Sequence, residues 1–131
     1  MKTILVVEDN PQVAKFYCLA LERTGGYRCL LSDSGEEIVA RTRAGEVDAI
    51  ILDISLANCT YQGRRVDGLE IARILKADAS TRHVPILLAT AHAMEGDRER
   101  FLAASGADGY LEKPIYDPQV LIQHLEQVLR R

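Results

Sequence analysis

Short apolar runs alternate along the chain with stretches whose apolar residues recur every three or four positions. Ile4 to Val7, Tyr27 to Leu31, Ala49 to Leu52, Val84 to Ala89 and Ala107 to Glu112 read as five strands. They are short and rich in aliphatic and β-branched side chains, the pattern of strands buried on both faces. Between them lie five helical patterns. Asn10-Pro11 pairs an N-cap with a proline at the first helical position. Val13, Phe16, Tyr17, Ala20 and Leu21 then form one face, and Gly25-Gly26 ends the helix. Ser34 and Glu37 stand at capping-box spacing and open a helix to about Arg43. Asp67-Gly68 opens a third, with Leu69, Ala72 and Leu75 on one side. A fourth runs from about Glu95 to Ser105 with a thin apolar face, chiefly Phe101, Leu102 and Ala104. The last, Pro118 to Leu129, buries Leu121, Ile122, Leu125, Val128 and Leu129. Strict alternation of strand and helix predicts an α/β fold. Its sheet is parallel, with helices on both faces and right-handed crossovers.

The polar residues that end the apolar runs carry the chemistry. Glu8-Asp9 follows Val7, Asp53 follows Leu52, Thr90 follows Ala89, and Lys113-Pro114 follows Glu112. In an open parallel sheet the ligand crevice lies outside the carboxyl ends of the strands. Three carboxylates, a hydroxyl and an ammonium therefore converge there. At about 4 Å and an effective dielectric near 20, each pair of like charges costs roughly 4 kcal/mol. Such a cluster needs a cation, and hard oxygen ligands suit Mg²⁺. An ammonium opposite the metal then suits a phosphoryl group.

Composition narrows the classes. The 131 residues are 47% hydrophobic and 27% charged, which fits one ordinary globular domain over 1–131. A net charge of −3 argues against direct nucleic-acid binding through bulk charge. No apolar run reaches the length of a membrane span, and the start of the chain leads directly into a strand without a signal-peptide pattern. Cys18, Cys29 and Cys59 are odd in number and lack disulfide-framework or zinc spacing. They read as small free side chains in a reducing cytoplasm.

With these residues in place, the pattern resembles the receiver domain of two-component response regulators. Glu8-Asp9, Asp53, Thr90-Ala91 and Lys113-Pro114 match that family's motifs in order, over essentially the whole chain. Thr90 to Asp97, followed by Gly106-Ala107-Asp108-Gly109-Tyr110, is most similar to single-domain receivers and the receivers of hybrid kinases. The resemblance implies a flavodoxin-like sheet of order 2-1-3-4-5. It implies Asp53 as phosphoacceptor and Mg²⁺ held by Asp9, by Glu8 directly or through water, by Asp53, and by the backbone carbonyl of Ser55. Thr90 would hydrogen-bond a phosphoryl oxygen, Lys113 would pair with the acceptor and then with the phosphoryl group, and Tyr110 stands at the switch-aromatic position. The Lys113-Pro114 bond would be cis. The donor would be a phosphohistidine on a histidine kinase or histidine phosphotransfer protein. A downstream protein would read the phosphorylated surface. The chain would be a monomer or weak homodimer in the cytoplasm, with no reaction beyond its own phosphorylation and dephosphorylation. His92, two residues past Thr90, is a candidate for tuning water access.

The chain departs from the family after the acceptor. Leu56-Ala57 stands where a proline is usual, and the stretch from Ile54 to Val66 is several residues longer than the family pattern. Such a loop is either functional or a tolerated insertion. Two other functions fit parts of the pattern. An Mg²⁺-dependent phosphatase with an Asp nucleophile would need a second acid two residues on, where Ser55 stands. A constitutive binding module would never see phosphate.

Overall fold

The computed structural model describes residues 1–91 and 94–130, so His92 lies outside the described residues. Strands β1 (Thr3–Val7), β2 (Arg28–Leu31), β3 (Ala49–Asp53), β6 (Ile86–Thr90) and β7 (Gly109–Glu112) form one parallel sheet of order β2-β1-β3-β6-β7. With the small hairpin strands β4 (Thr60–Tyr61) and β5 (Arg64–Arg65) set aside, this is the expected 2-1-3-4-5. The helices are α1 (Pro11–Leu19), α2 (Gly35–Arg43), α3 (Gly68–Ala77), α4 (Asp97–Ser105) and α5 (Pro118–Leu129).

Strand alternation divides the core into two layers. Leu5, Val7, Ile50, Leu52, Ile86 and Leu88 face one side, with Ile38 of α2 and Ile71 and Leu75 of α3. Ile4, Val6, Ala49, Ile51, Leu87 and Leu111 face the other, with Tyr17 of α1 and Leu121 and Leu125 of α5. β3 is central and every one of its residues is buried, which accounts for its unbroken apolar run.

The helix starts follow their sequence signals. Asn10 accepts from the backbone N–H groups of Gln12 and Val13, Ser34 from Glu37, and Asp67 forms a reciprocal capping box with Glu70. α4 begins at Asp97, two residues later than the periodicity suggests, because Gly96 turns the chain through a left-handed conformation there. α1 continues into a π-helical turn, Ala20–Thr24, before Gly25.

Two expectations change. Cys18 and Cys29 are joined in a disulfide with Cα atoms 5.5 Å apart, while Cys59 is free and buried. The reading of three free thiols is corrected: α1 packs beside edge strand β2, and that crossing, invisible in cysteine spacing, brings the two side chains together. The argument for a reducing compartment from these cysteines falls with it. The long stretch after β3 is ordered as a hairpin, β4 (Thr60–Tyr61) with antiparallel β5 (Arg64–Arg65). Its turn residues Gln62 and Gly63 both have positive φ, 53° and 75°, the backbone of a type I′ turn. Cys59 and Val66 flank it, each 1% exposed, so its base belongs to the core.

Candidate functional site

Sheet register builds the site. Val7 pairs with Leu52, so the next residues along each strand, Glu8 and Asp53, come side by side. Asp53 pairs with Ala89, which puts Thr90 one step beyond it. Thr90 is level with Glu112, and the Lys113 N–H donates to the Thr90 carbonyl at 2.8 Å. Four strand ends thus deliver the predicted residues to one place.

The carboxylates of Glu8, Asp9 and Asp53 each offer an oxygen within 4.8 Å of the others. Glu8 and Asp53 are buried, at 8% and 4% exposure, and Asp9 is half-buried. Lys113 Nζ enters between them, 2.9 Å from Glu8 Oε1 and 3.3 Å from Asp53 Oδ1. The ammonium is thus nearer to Glu8 than to the expected acceptor. The peptide bond between Lys113 and Pro114 is cis. Burial and the Glu8 charge push the Asp53 carboxyl up to about 6, against the lowering influence of Lys113. Burial pulls the Lys113 ammonium down, but Glu8 and Asp53 outweigh it, and the net direction is up.

Backbone groups hold the acids in place. Glu8 Oε2 accepts from the Asn10 N–H at 3.2 Å. Asp53 Oδ1 accepts from the Ser55 N–H at 3.3 Å, which brings the Ser55 backbone beside the carboxylate. Asp9 Oδ2 accepts from the Ala57 N–H at 2.7 Å. Gly68 plays a part that sequence reading assigned only to helix initiation. A Cβ there would stand 2.1 Å from the Asp53 carbonyl oxygen, so α3 reaches β3 only through a glycine. The signal was the Asp67-Gly68 pair itself.

Thr90 is buried at the end of β6. Tyr110 lies on β7 with its ring tilted beside Phe101, centroids 6.3 Å apart. Its hydroxyl is buried without a hydrogen-bond partner among the described residues, and burial, Glu112 and Asp97 raise its pKa.

The model of the response regulator receiver domain matches residues 4–126. The chain belongs to this family. It is 35% identical over 120 residues to the polar-differentiation response regulator DivK of Brucella ovis, covering 92% of this chain and 90% of the relative. The receiver domain of the sensor histidine kinase PA1611 from Pseudomonas aeruginosa PAO1 is similar over 99% of this chain and 98% of its own. Its identity is 34% and its TM-score 0.77, and that structure has a magnesium ion coordinated in its active site cleft. The Vibrio cholerae chemotaxis protein CheY4 shares the fold with TM-score 0.81 at 24% identity, over 98% of both chains. The chain is therefore a receiver domain of two-component signalling with a flavodoxin-like sheet. Its acidic cluster stands among the described residues as a set of three carboxylates. Among the described residues, no helix is long and apolar enough to cross a membrane.

Proposed function

We propose that Asp53 accepts a phosphoryl group from a phosphohistidine on a histidine kinase or phosphotransfer protein, and that the modified domain engages a downstream protein. The observation that carries this reading is the cluster of Glu8, Asp9 and Asp53 with the Lys113 ammonium paired to Glu8 and Asp53. Three close acids with a single lysine between them leave room in charge for a divalent cation. Glu8, Asp9, Asp53 and the Ser55 carbonyl are the oxygen donors that would hold Mg²⁺. Bound Mg²⁺ would offset the repulsion among the acids and the charge of the arriving phosphoryl group.

The residues of the chain do the rest. An Asp53 oxygen forms a bond to phosphorus as the phosphorus–nitrogen bond to the donor imidazole breaks, and the imidazole leaves neutral after taking up a proton. Lys113 holds the acceptor and then a phosphoryl oxygen. Thr90 donates its hydroxyl to another, and Tyr110, whose hydroxyl has no partner among the described residues, follows the change. Phosphorylation thereby biases a two-state surface around α4, β7 and α5. The domain turns over no separate substrate, and it works as a monomer or weak homodimer in the cytoplasm.

Incubation with acetyl phosphate and Mg²⁺ tests this reading against phosphatase chemistry. A receiver takes up one acyl phosphate per chain and releases no phosphate from a stable phosphate ester such as p-nitrophenyl phosphate. Sustained turnover of the ester would overturn the reading.

A further inference from the structure

The hydroxyls of Tyr17 and Tyr110 are both buried with no hydrogen-bond partner among the described residues. Tyr110 belongs to the switch described above. Tyr17 has no part in it. An unpaired buried hydroxyl is costly, and a phenylalanine would fill the same space without that cost.

The position of Tyr17 suggests what its hydroxyl is for. The residue lies in α1, 2% exposed, in the layer that contains Val6, Ile51 and Leu111. Side chains alternate along a strand. Asp53 stands two residues past Ile51 on β3 and therefore faces the same side, while Glu8 and Lys113 follow directly on the ends of β1 and β7. Tyr17, Phe16, Ala91, Lys113 and Pro114 line one cleft of about 390 Å³. Burial is the larger cause of a raised Tyr17 pKa, and the charges of Glu8 and Asp53 add to it, so the ring lies within their field.

Glu8 is the complement. Its Oε2 takes the Asn10 N–H, and its Oε1 takes Lys113 at 2.9 Å. The Glu8 side chain is 1% exposed, so bulk water cannot readily replace a lost donor. A phosphoryl group on Asp53 draws the Lys113 ammonium toward itself and away from Glu8 Oε1. We propose that the Tyr17 hydroxyl then donates to Glu8 and takes the place Lys113 leaves. Tyr17 is thus a positioning residue: it acts through Glu8 and Lys113 and does not touch the phosphoryl group. This inference rests on Asp53 being the acceptor. It makes one hydroxyl unfavourable in the resting state and favourable in the phosphorylated one.

Tyr17→Phe removes the hydroxyl and keeps the ring. Without Mg²⁺ or donor, its thermal midpoint should equal or exceed that of the wild type. With Mg²⁺, the affinity for beryllium fluoride, which occupies an acceptor carboxylate as a phosphoryl group does, should fall at least threefold. The acetyl phosphate concentration that half-phosphorylates Asp53 should rise by a similar factor. Effects of opposite sign in the two states would not arise from packing alone. A lowered midpoint in the resting variant would mean the hydroxyl already has a partner and would overturn the inference. Fluoride-complex affinity and phosphorylation both within 1.5-fold of wild type would overturn it equally. Wild-type protein that takes no phosphoryl group at Asp53 would instead overturn the function on which it rests.

Discussion

Ala57 donates its backbone N–H to Asp9 Oδ2 at 2.7 Å, across 48 positions of sequence. The long loop after β3 is thus fastened directly to one of the acids of the cluster. It is also packed: Cys59 and Val66 are buried, and Tyr61 lies against the core. Deleting Cys59 to Arg65 should therefore destabilise the protein by about 2 kcal/mol or more, the range for losing buried apolar side chains, read from denaturant unfolding. An unchanged midpoint would mean the hairpin is a neutral appendage.

The exposed face of the hairpin separates chemistry from recognition. Arg64 pairs with Glu70 at 2.6 Å, and Arg65 is exposed with no ion-pair partner among the described residues. Arg65→Glu should leave phosphorylation by acetyl phosphate within a few-fold of wild type. Transfer from the fastest protein donor in a kinase panel should fall about tenfold, roughly 1.4 kcal/mol. Equal losses with both donors would place the hairpin in the chemistry of the site.

Metal linkage follows from the three carboxylates. Mg²⁺ should raise the thermal midpoint of the wild type, because binding only the folded state stabilises it. Asp9→Asn should be more stable than wild type without the ion and lose most of the response to it. A Mg²⁺ response of wild-type size in the variant would contradict the assignment.

The pH dependence has a defined sign. The Asp53 carboxyl is raised from 3.8 to about 6 in the folded state by burial and by Glu8. The folded protein holds that proton more tightly than the unfolded chain. This contribution to stability is complete below pH about 4 and is lost as pH rises through about 6. Without Mg²⁺, Asp53→Asn should therefore gain stability relative to wild type as pH increases over that window. The gain should be up to about 3 kcal/mol, or several degrees of midpoint. A difference that is constant from pH 4 to 7.5 would show that Asp53 is ionised throughout.

Thr90 and Tyr110 should couple without being needed for transfer. Thr90→Ala should still be phosphorylated, while the change in Tyr110 ring resonances on phosphorylation should largely disappear, because a hydrogen bond made only in that state is lost. A Tyr110 response of wild-type size would separate the two residues.

The sheet and the site were legible because burial and chemistry both leave local marks. Ile4 to Val7, Ala49 to Asp53 and Ile86 to Thr90 are buried throughout, and unbroken apolar runs are what such strands require. Their polar successors mark the carboxyl edge. The features that escaped depend on how elements cross. Cys18 meets Cys29 only because α1 lies against β2. The hairpin of Thr60 to Arg65 has too few apolar positions to show a period, and its turn uses Gln62-Gly63 in place of the usual Asn-Gly. The preference of Lys113 for Glu8 over Asp53 is a matter of tenths of an ångström. Tyr17, whose hydroxyl has no partner among the described residues, looks in sequence like any aromatic on a helix face.

The central claim is that Asp53 is the residue modified. Mass spectrometry after incubation with acetyl phosphate and Mg²⁺ tests it most directly. The account predicts one acid-stable, base-labile phosphoryl adduct that maps to Asp53, with none on Asp53→Asn. An adduct that maps to another residue, or one that persists in Asp53→Asn at wild-type yield, would contradict it.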